Sequence, residues 1–201
     1  MTNFKRLAVL GTSIAAVALT AMPAHAANPN TEGRAKVKIV RPIDITNTGE
    51  LDFGTIVLPS GGTGLTSATV AVSAEDGSVT ASCAGFTCSL NTGDTSTYET
   101  YSLSGTRAVN VVVTIPQSAR LYVDGNTANP FIDVSLSGQA SVLGAATAAG
   151  TDNEHTVTLP NTGAAGSAAS FDFNVGGSIT VPDNQTDGDY WGDFTVSADY
   201  E

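Results

Sequence analysis

Residues Phe173–Glu201 read FNVGGSITVPDNQTDGDYWGDFTVSADYE, and the last ten of them decide the fold. From Gly192 to Glu201 the chain alternates, with Phe194, Val196, Ala198 and Tyr200 on one side and Asp193, Thr195, Ser197 and Asp199 on the other. A period of two over this length predicts a β-strand with one buried face and one wet face. The stretch before it, Phe173 to Val181, is also apolar and strand-forming. Between the two lies an acidic, glycine-containing turn, so the tail is expected to be two strands joined as a hairpin. With Glu201 the last residue, the second strand is expected to be terminal, which raises the question of what covers it.

Working back along the chain, the same signals recur. Arg34–Val40 alternates Ala35, Val37 and Ile39 with Arg34, Lys36 and Lys38, and Pro42 interrupts the ladder because it has no N–H to donate. Ile43 and Ile45 restart the alternation, and Leu51 and Phe53 continue it. Thr69–Ala74 and Ser78–Cys83 form an expected pair around Glu75-Asp76-Gly77. Tyr98–Ser104 and Ala108–Ile115 form another around Gly105-Thr106-Arg107. Leu121–Val123 runs into Asp124-Gly125-Asn126, a strong turn signal, and Phe131–Leu136 follows. Gly144–Gly150 is read as loop, His155–Leu159 as a weak strand, and Phe171–Val175 and Ser178–Val181 as two separate strands. About ten short strands with frequent turn signals and no convincing helix predict an all-β fold. The expected architecture is a single antiparallel, Ig-like or pilin-like β-sandwich.

Composition bounds the role of such a domain. Residues 1–26 have a short positive start (Lys5, Arg6), an apolar run Leu7–Thr20 and small residues at Ala24-His25-Ala26. This is the pattern of a cleaved secretory signal peptide, too short for a membrane span. Residues 27–201 are the expected mature domain, long enough for a sizeable core. Export to the periplasm, the cell surface or beyond is expected, with no membrane span after signal removal. The net charge is −11, and losing Lys5 and Arg6 makes it −13. Such a balance argues against nucleic-acid binding. The remaining cations are uneven. Arg34, Lys36, Lys38 and Arg41 cluster near the mature N-terminus, and only Arg107 and Arg120 serve the rest. A solvated edge strand kept soluble by charge accounts for the cluster; steering of one molecule to another is the alternative. Cys83 and Cys88 are the only cysteines, and in an oxidising compartment they are expected to form a structural disulfide. The closed loop is short, which places its stabilisation at about 2 kcal/mol.

Catalysis finds little support. His155 is the only histidine of the mature chain and reads as an exposed strand-end residue rather than a base. There is no nucleophile elbow, phosphate loop or Cys/His cluster. The pentapeptide Leu159-Pro160-Asn161-Thr162-Gly163 matches a sortase signal but lacks the apolar span and basic tail that must follow. Asp183, Asp187, Asp189 and Asp193 surround the turn before the last strand and are weak calcium candidates, since their spacing is not that of an EF-hand loop. No cofactor is expected.

Leu51-Asp52-Phe53-Gly54, Gly176-Gly177-Ser178-Ile179-Thr180-Val181 and Gly188-Asp189-Tyr190-Trp191-Gly192-Asp193-Phe194-Thr195-Val196 resemble the DUF4402 family of exported bacterial β-sandwich domains. The penultimate Tyr200, the alternation before it and Gly188, fourteenth from the end, resemble the C-terminal signature of chaperone–usher pilins. What the pilin resemblance implies is a structural, non-enzymatic subunit of a surface fibre or layer, of Gram-negative type. It would assemble with itself or related subunits by strand exchange, with a periplasmic chaperone or usher as a possible partner. On this reading residues 34–40 are the donor strand, with Ala35, Val37 and Ile39 as pocket residues, and Phe194, Val196, Ala198 and Tyr200 line part of the receiving groove. If Arg34–Val40 is instead the fold's own first strand, no donor remains. The chain is then a self-complete binding module for carbohydrate or calcium, for which Tyr190 and Trp191 beside the aspartates are the features of interest.

Overall fold

The computed structural model describes residues 31–60, 62–85, 89, 90 and 96–201. The expected signal peptide and Cys88 lie outside these residues. The chain divides into two compact units, residues 1–38 and 39–201. In the first, residues 31–38 are exposed and carry no strand.

The second unit contains every strand described. In chain order these are β1 (Asp44–Thr48), β2 (Ile56–Val57), β3 (Ser67–Val72), β4 (Val79–Ala84), β5 (Ser89–Leu90), β6 (Glu99–Gly105), β7 (Asn110–Pro116), β8 (Ser118–Val123) and β9 (Phe131–Gly138). A single-turn helix α1 (Ala140–Leu143) precedes β10 (Thr147–Ala149), β11 (Asp152–Thr158), β12 (Ala169–Pro182), β13 (Tyr190–Trp191) and β14 (Ser197–Tyr200). Ten of these strands are four residues or longer, in line with the expected all-β fold.

The larger sheet runs β1-β6-β12-β9-β8-β13, with β3 and β4 attached beside β12; the smaller runs β10-β11-β7-β14. All pairings are antiparallel. The two inner faces supply the core. Leu103, Phe173, Val175 and Val134 come from the larger sheet and Val111, Val113 and Ile115 from the smaller, all essentially inaccessible. Full burial of each such side chain contributes roughly 1.5–3 kcal/mol of transfer free energy.

β10 lies in the Gly144–Gly150 stretch read as loop, and four further expectations about the strands change. The first strand is β1, not Arg34–Val40. Phe171–Val175 and Ser178–Val181 are one 14-residue strand. The glycines between them do not break it. A Cβ at Gly176 would lie 2.3 Å from the Val72 carbonyl oxygen, and one at Gly177 would lie 2.6 Å from that of Ser135. The pair lets β12 exchange β6 for β3 on one flank while β9 closes on the other. β6 and β7 are not a hairpin but belong to different sheets. Ala108, held at φ 53°, donates its N–H to Leu159 O at 3.1 Å, and Leu159 N–H donates to Val109 O at 3.0 Å. The edge that a hairpin would use is therefore already paired.

The tail is the fourth case. β12, the first arm of the expected hairpin, lies in the larger sheet, whereas β14, the second, pairs with β7 in the smaller. A Cβ at Gly192 would sit 2.1 Å from the Arg120 carbonyl oxygen, which marks where the chain leaves the larger sheet. The alternation itself is as read: Phe194, Val196, Ala198 and Tyr200 are half-buried or buried, and Asp193, Thr195, Ser197 and Asp199 are exposed.

Candidate functional site

The crossing of the tail leaves a space. The inner face of the larger sheet is wider than the four-stranded sheet opposite it. The excess is bridged by residues 49–60 and 183–196, whose only strands are the two-residue β2 and β13. Between them lies a groove of about 2010 Å³. Its floor is apolar, made by Leu121, Ile132, Val134, Ile179 and Val181, with Leu51, Phe53, Phe194 and Val196 on the walls. Its polar lining is acidic. Glu50, Asp52, Glu99, Asp183, Asp187, Asp189 and Asp193 contribute to it, and among the described residues no lysine or arginine does.

Two carboxylates of the groove are committed internally. Glu99 is buried and accepts a hydrogen bond from Asn47 Nδ2 at 2.5 Å. Beside it, burial pushes the Tyr101 hydroxyl well above the ordinary phenol range, and the Glu99 charge adds to the effect. Asp183 accepts from the Thr66 hydroxyl and from Gly64 N–H. These bonds, Thr66 first, hold its carboxyl below the usual range against the opposing effect of burial. Gly62 lies so close that a Cβ would meet the Asp183 carbonyl oxygen at 1.9 Å. Asp183 thus fastens the 62–66 loop to the end of β12. Asp187, Asp189 and Asp193 are exposed. Among the described residues, no group of three or more potential metal ligands is gathered.

Among the described residues the smaller sheet ends on β14, which pairs with β7 on one side only. Of the four expected groove residues Phe194 and Val196 line the groove, and Ala198 and Tyr200 do not. The Tyr200 hydroxyl accepts from Thr106 N–H at 2.6 Å and donates to Arg41 O at 2.8 Å. The penultimate tyrosine therefore ties the β6–β7 crossing to the root of β1. Ala35 and Val37 belong to the separate unit 1–38 and are exposed. Ile39, the first residue of the sandwich unit, is 83% exposed. Cys83 is half-buried on β4.

His155 is not the exposed strand-end residue expected. It sits mid-strand on β11, facing the core. Because the Gly144 carbonyl can only accept, the 3.2 Å contact places the ring proton on Nδ1. Nε2 is buried without a hydrogen-bond partner. Burial lowers the imidazole pKa, opposed by the Gly144 bond. The unfolded chain takes up a proton below about pH 6.5, whereas the folded chain does so only at lower pH. Stability from this site is thus complete above the unfolded value and declines as pH falls toward the folded one. Melting temperatures measured from pH 7 downward are expected to fall across this window in the wild type. The fall is expected to be smaller in His155→Asn. Equal slopes would show that another group carries it.

The fold and the groove define an antiparallel β-sandwich with a groove that opens onto the inner face of its larger sheet. The family described as domain of unknown function DUF4402 matches residues 43–200, and the chain belongs to that family. The match begins one residue before β1 and ends with β14, so it takes in the sandwich and leaves out the basic segment. No curated protein and no solved structure matches. No helix among the described residues is long and apolar enough to cross a membrane.

Proposed function

We propose that the protein is an exported, pilin-like structural subunit, assembled by insertion of the basic segment of one copy into the acidic groove of the next. The observation that carries this reading is the complementarity of the two surfaces. The groove has an apolar floor with seven carboxylates and, among the described residues, no cation in its lining. The segment Arg34–Val40 alternates Ala35, Val37 and Ile39 with Arg34, Lys36 and Lys38. As an added strand it would set small apolar side chains on the floor and basic ones against the rim. Val37 is 80% exposed and Ile39 83%. Phe194 and Val196 turn into the groove, and β14, which follows them and has one unpaired edge among the described residues, is the backbone such a strand would pair with. Removal of residues 1–26 on export and a Cys83–Cys88 disulfide belong to the same reading. It involves no catalysis and no cofactor, and a chaperone would serve by covering the groove before assembly.

Protein prepared from periplasm is expected to give ladders on an unboiled denaturing gel that collapse to one band on boiling. Deletion of residues 27–40, which spares Arg41 and its bond to Tyr200, is expected to abolish the ladders. Val37→Asp with Ile39→Asp is expected to do the same without lowering the melting temperature, because both side chains are exposed. A single monomer band from the wild type, or ladders that persist after the deletion, would overturn the proposal.

A further inference from the structure

The outer face of the larger sheet carries a second surface, which meets the groove only at Trp191. Trp191 on β13 lies opposite Tyr122 on β8, and Tyr122 lies opposite Phe131 on β9. Direct antiparallel partners project to the same side of a sheet. The alternate residues Tyr190, Leu121 and Ile132 turn inward, so the three rings form a cross-strand row on the outside. The row spans two strand spacings, about 10 Å.

The rings are held in place. A Cβ at Gly125, whose φ is 63°, would meet the indole carbons of Trp191 at 2.1–2.4 Å, so the indole rests on bare backbone. The Tyr122 and Phe131 centroids are 5.9 Å apart. The Arg120 guanidinium lies 4.2 Å from the Phe131 centroid and is fixed by Asp133 at 3.0 Å. Even so, Trp191 is 57% exposed and Phe131 42%. These are the only aromatic residues among the exposed large hydrophobics of the described chain.

We infer that this row is a binding platform for a neutral oligosaccharide or polysaccharide. Aromatic faces take the C–H faces of pyranose rings, and the Arg120–Asp133 pair at one end offers a donor and an acceptor to sugar hydroxyls. Charge excludes the main competitors. Arg120 is already neutralised by Asp133, and the chain carries −11 overall, which disfavours phosphates and nucleic acids. Size disfavours a protein partner. Aromatic side chains bury about 150–250 Å² each, so three partly exposed rings offer far less than the roughly 800 Å² per partner of a stable interface. Rings immobilised beforehand lose little freedom when a ligand stacks on them.

Trp191 is the only tryptophan in the chain, so its emission reports on the platform directly. The full mature protein is titrated with cellohexaose, chitohexaose, maltohexaose and laminarihexaose, and run through native gels containing the matching polysaccharides. At least one glycan is expected to change the emission and retard migration. Trp191→Ala is expected to weaken retardation more than tenfold with an unchanged circular dichroism spectrum. Trp191→Phe is expected to retain part of it, and Tyr122→Ala to weaken it as well. No response to any of the four glycans would overturn the inference. So would retardation that survives in both Trp191→Ala and Tyr122→Ala. A wild type that sediments as a dimer dissociated by Trp191→Ala would assign the row to self-association instead.

Discussion

Phe173→Ala is expected to lower the stability of the sandwich by about 4 kcal/mol, within the range for removing a fully buried phenylalanine. Phe173 has no accessible surface. It stands on β12 where that strand pairs with β6, and its ring stacks on Tyr101 at 5.4 Å and 13° between planes. Phe171 meets it from the same strand at 6.0 Å. Truncation forfeits the transfer free energy of the ring and leaves a void. The pleat of β12, fixed by hydrogen bonds on both flanks, cannot close that void. For a domain of this size about 4 kcal/mol corresponds to a fall in melting temperature of roughly 8–16 °C. Phe173→Leu keeps most of the volume and is expected to lose about 1.5 kcal/mol or less. Denaturant midpoints of the three proteins, with m-values compared, provide the measurement. A Phe173→Ala midpoint equal to that of wild type would mean that this ring is not at the centre of the core.

The same residues show what a sequence can and cannot reveal about this fold. Alternation is a local property, and wherever the sheet has one wet face it was readable: the inward sets Phe194/Val196/Ala198/Tyr200 and Ile132/Val134/Leu136 are those the period of two marks. Partnership is not local. Gly105-Thr106-Arg107 has the composition of a hairpin turn, yet Leu159, more than fifty residues away, takes the backbone groups of Ala108 and Val109 and sends β7 to the other sheet. Gly176-Gly177 reads as a break because glycine is poor in strands. Its actual role, admitting two neighbouring backbones within van der Waals distance, appears only once those neighbours are placed. His155 escapes the alternation for a related reason. A polar residue in an alternating run is assigned to the wet side unless the carbonyl that satisfies it can be seen.

The groove follows from this distinction. Each acid lining it, read singly, belongs to a solvated turn, and each apolar residue to a core. Only the crossing of the tail at Gly192, which carries β14 to the smaller sheet, brings Asp189 and Asp193 over a floor of Val134 and Val181. The acidic turn and the terminal strand were legible as parts, whereas the space between them is a product of topology. The aromatic row on the opposite face arises in the same way, from three strands that contribute one ring each.

Tyr200→Phe is expected to destabilise the protein by about 2 kcal/mol, although it removes a single oxygen. The hydroxyl is the acceptor for Thr106 N–H and the donor to Arg41 O. Without it, a partly buried amide loses its partner, and a group left unsatisfied in this way costs about 1–3 kcal/mol. The ring itself is unchanged, so no cavity term enters. Gly105 makes the contact possible, since a Cβ there would lie 2.7 Å from the hydroxyl oxygen. The expected fall in melting temperature is roughly 4–8 °C. Amide exchange gives a sharper test than melting, because protection of Thr106 should be lost in Tyr200→Phe while the β6 amides away from the crossing keep theirs. Unchanged stability together with unchanged protection of Thr106 would leave the hydroxyl without a structural role. If both fall as expected, the tyrosine one residue from the end is explained by the sandwich itself: it fixes the chain at Arg41, the residue from which the basic segment departs. Evidence for assembly must then come from that segment and the groove, not from the tyrosine.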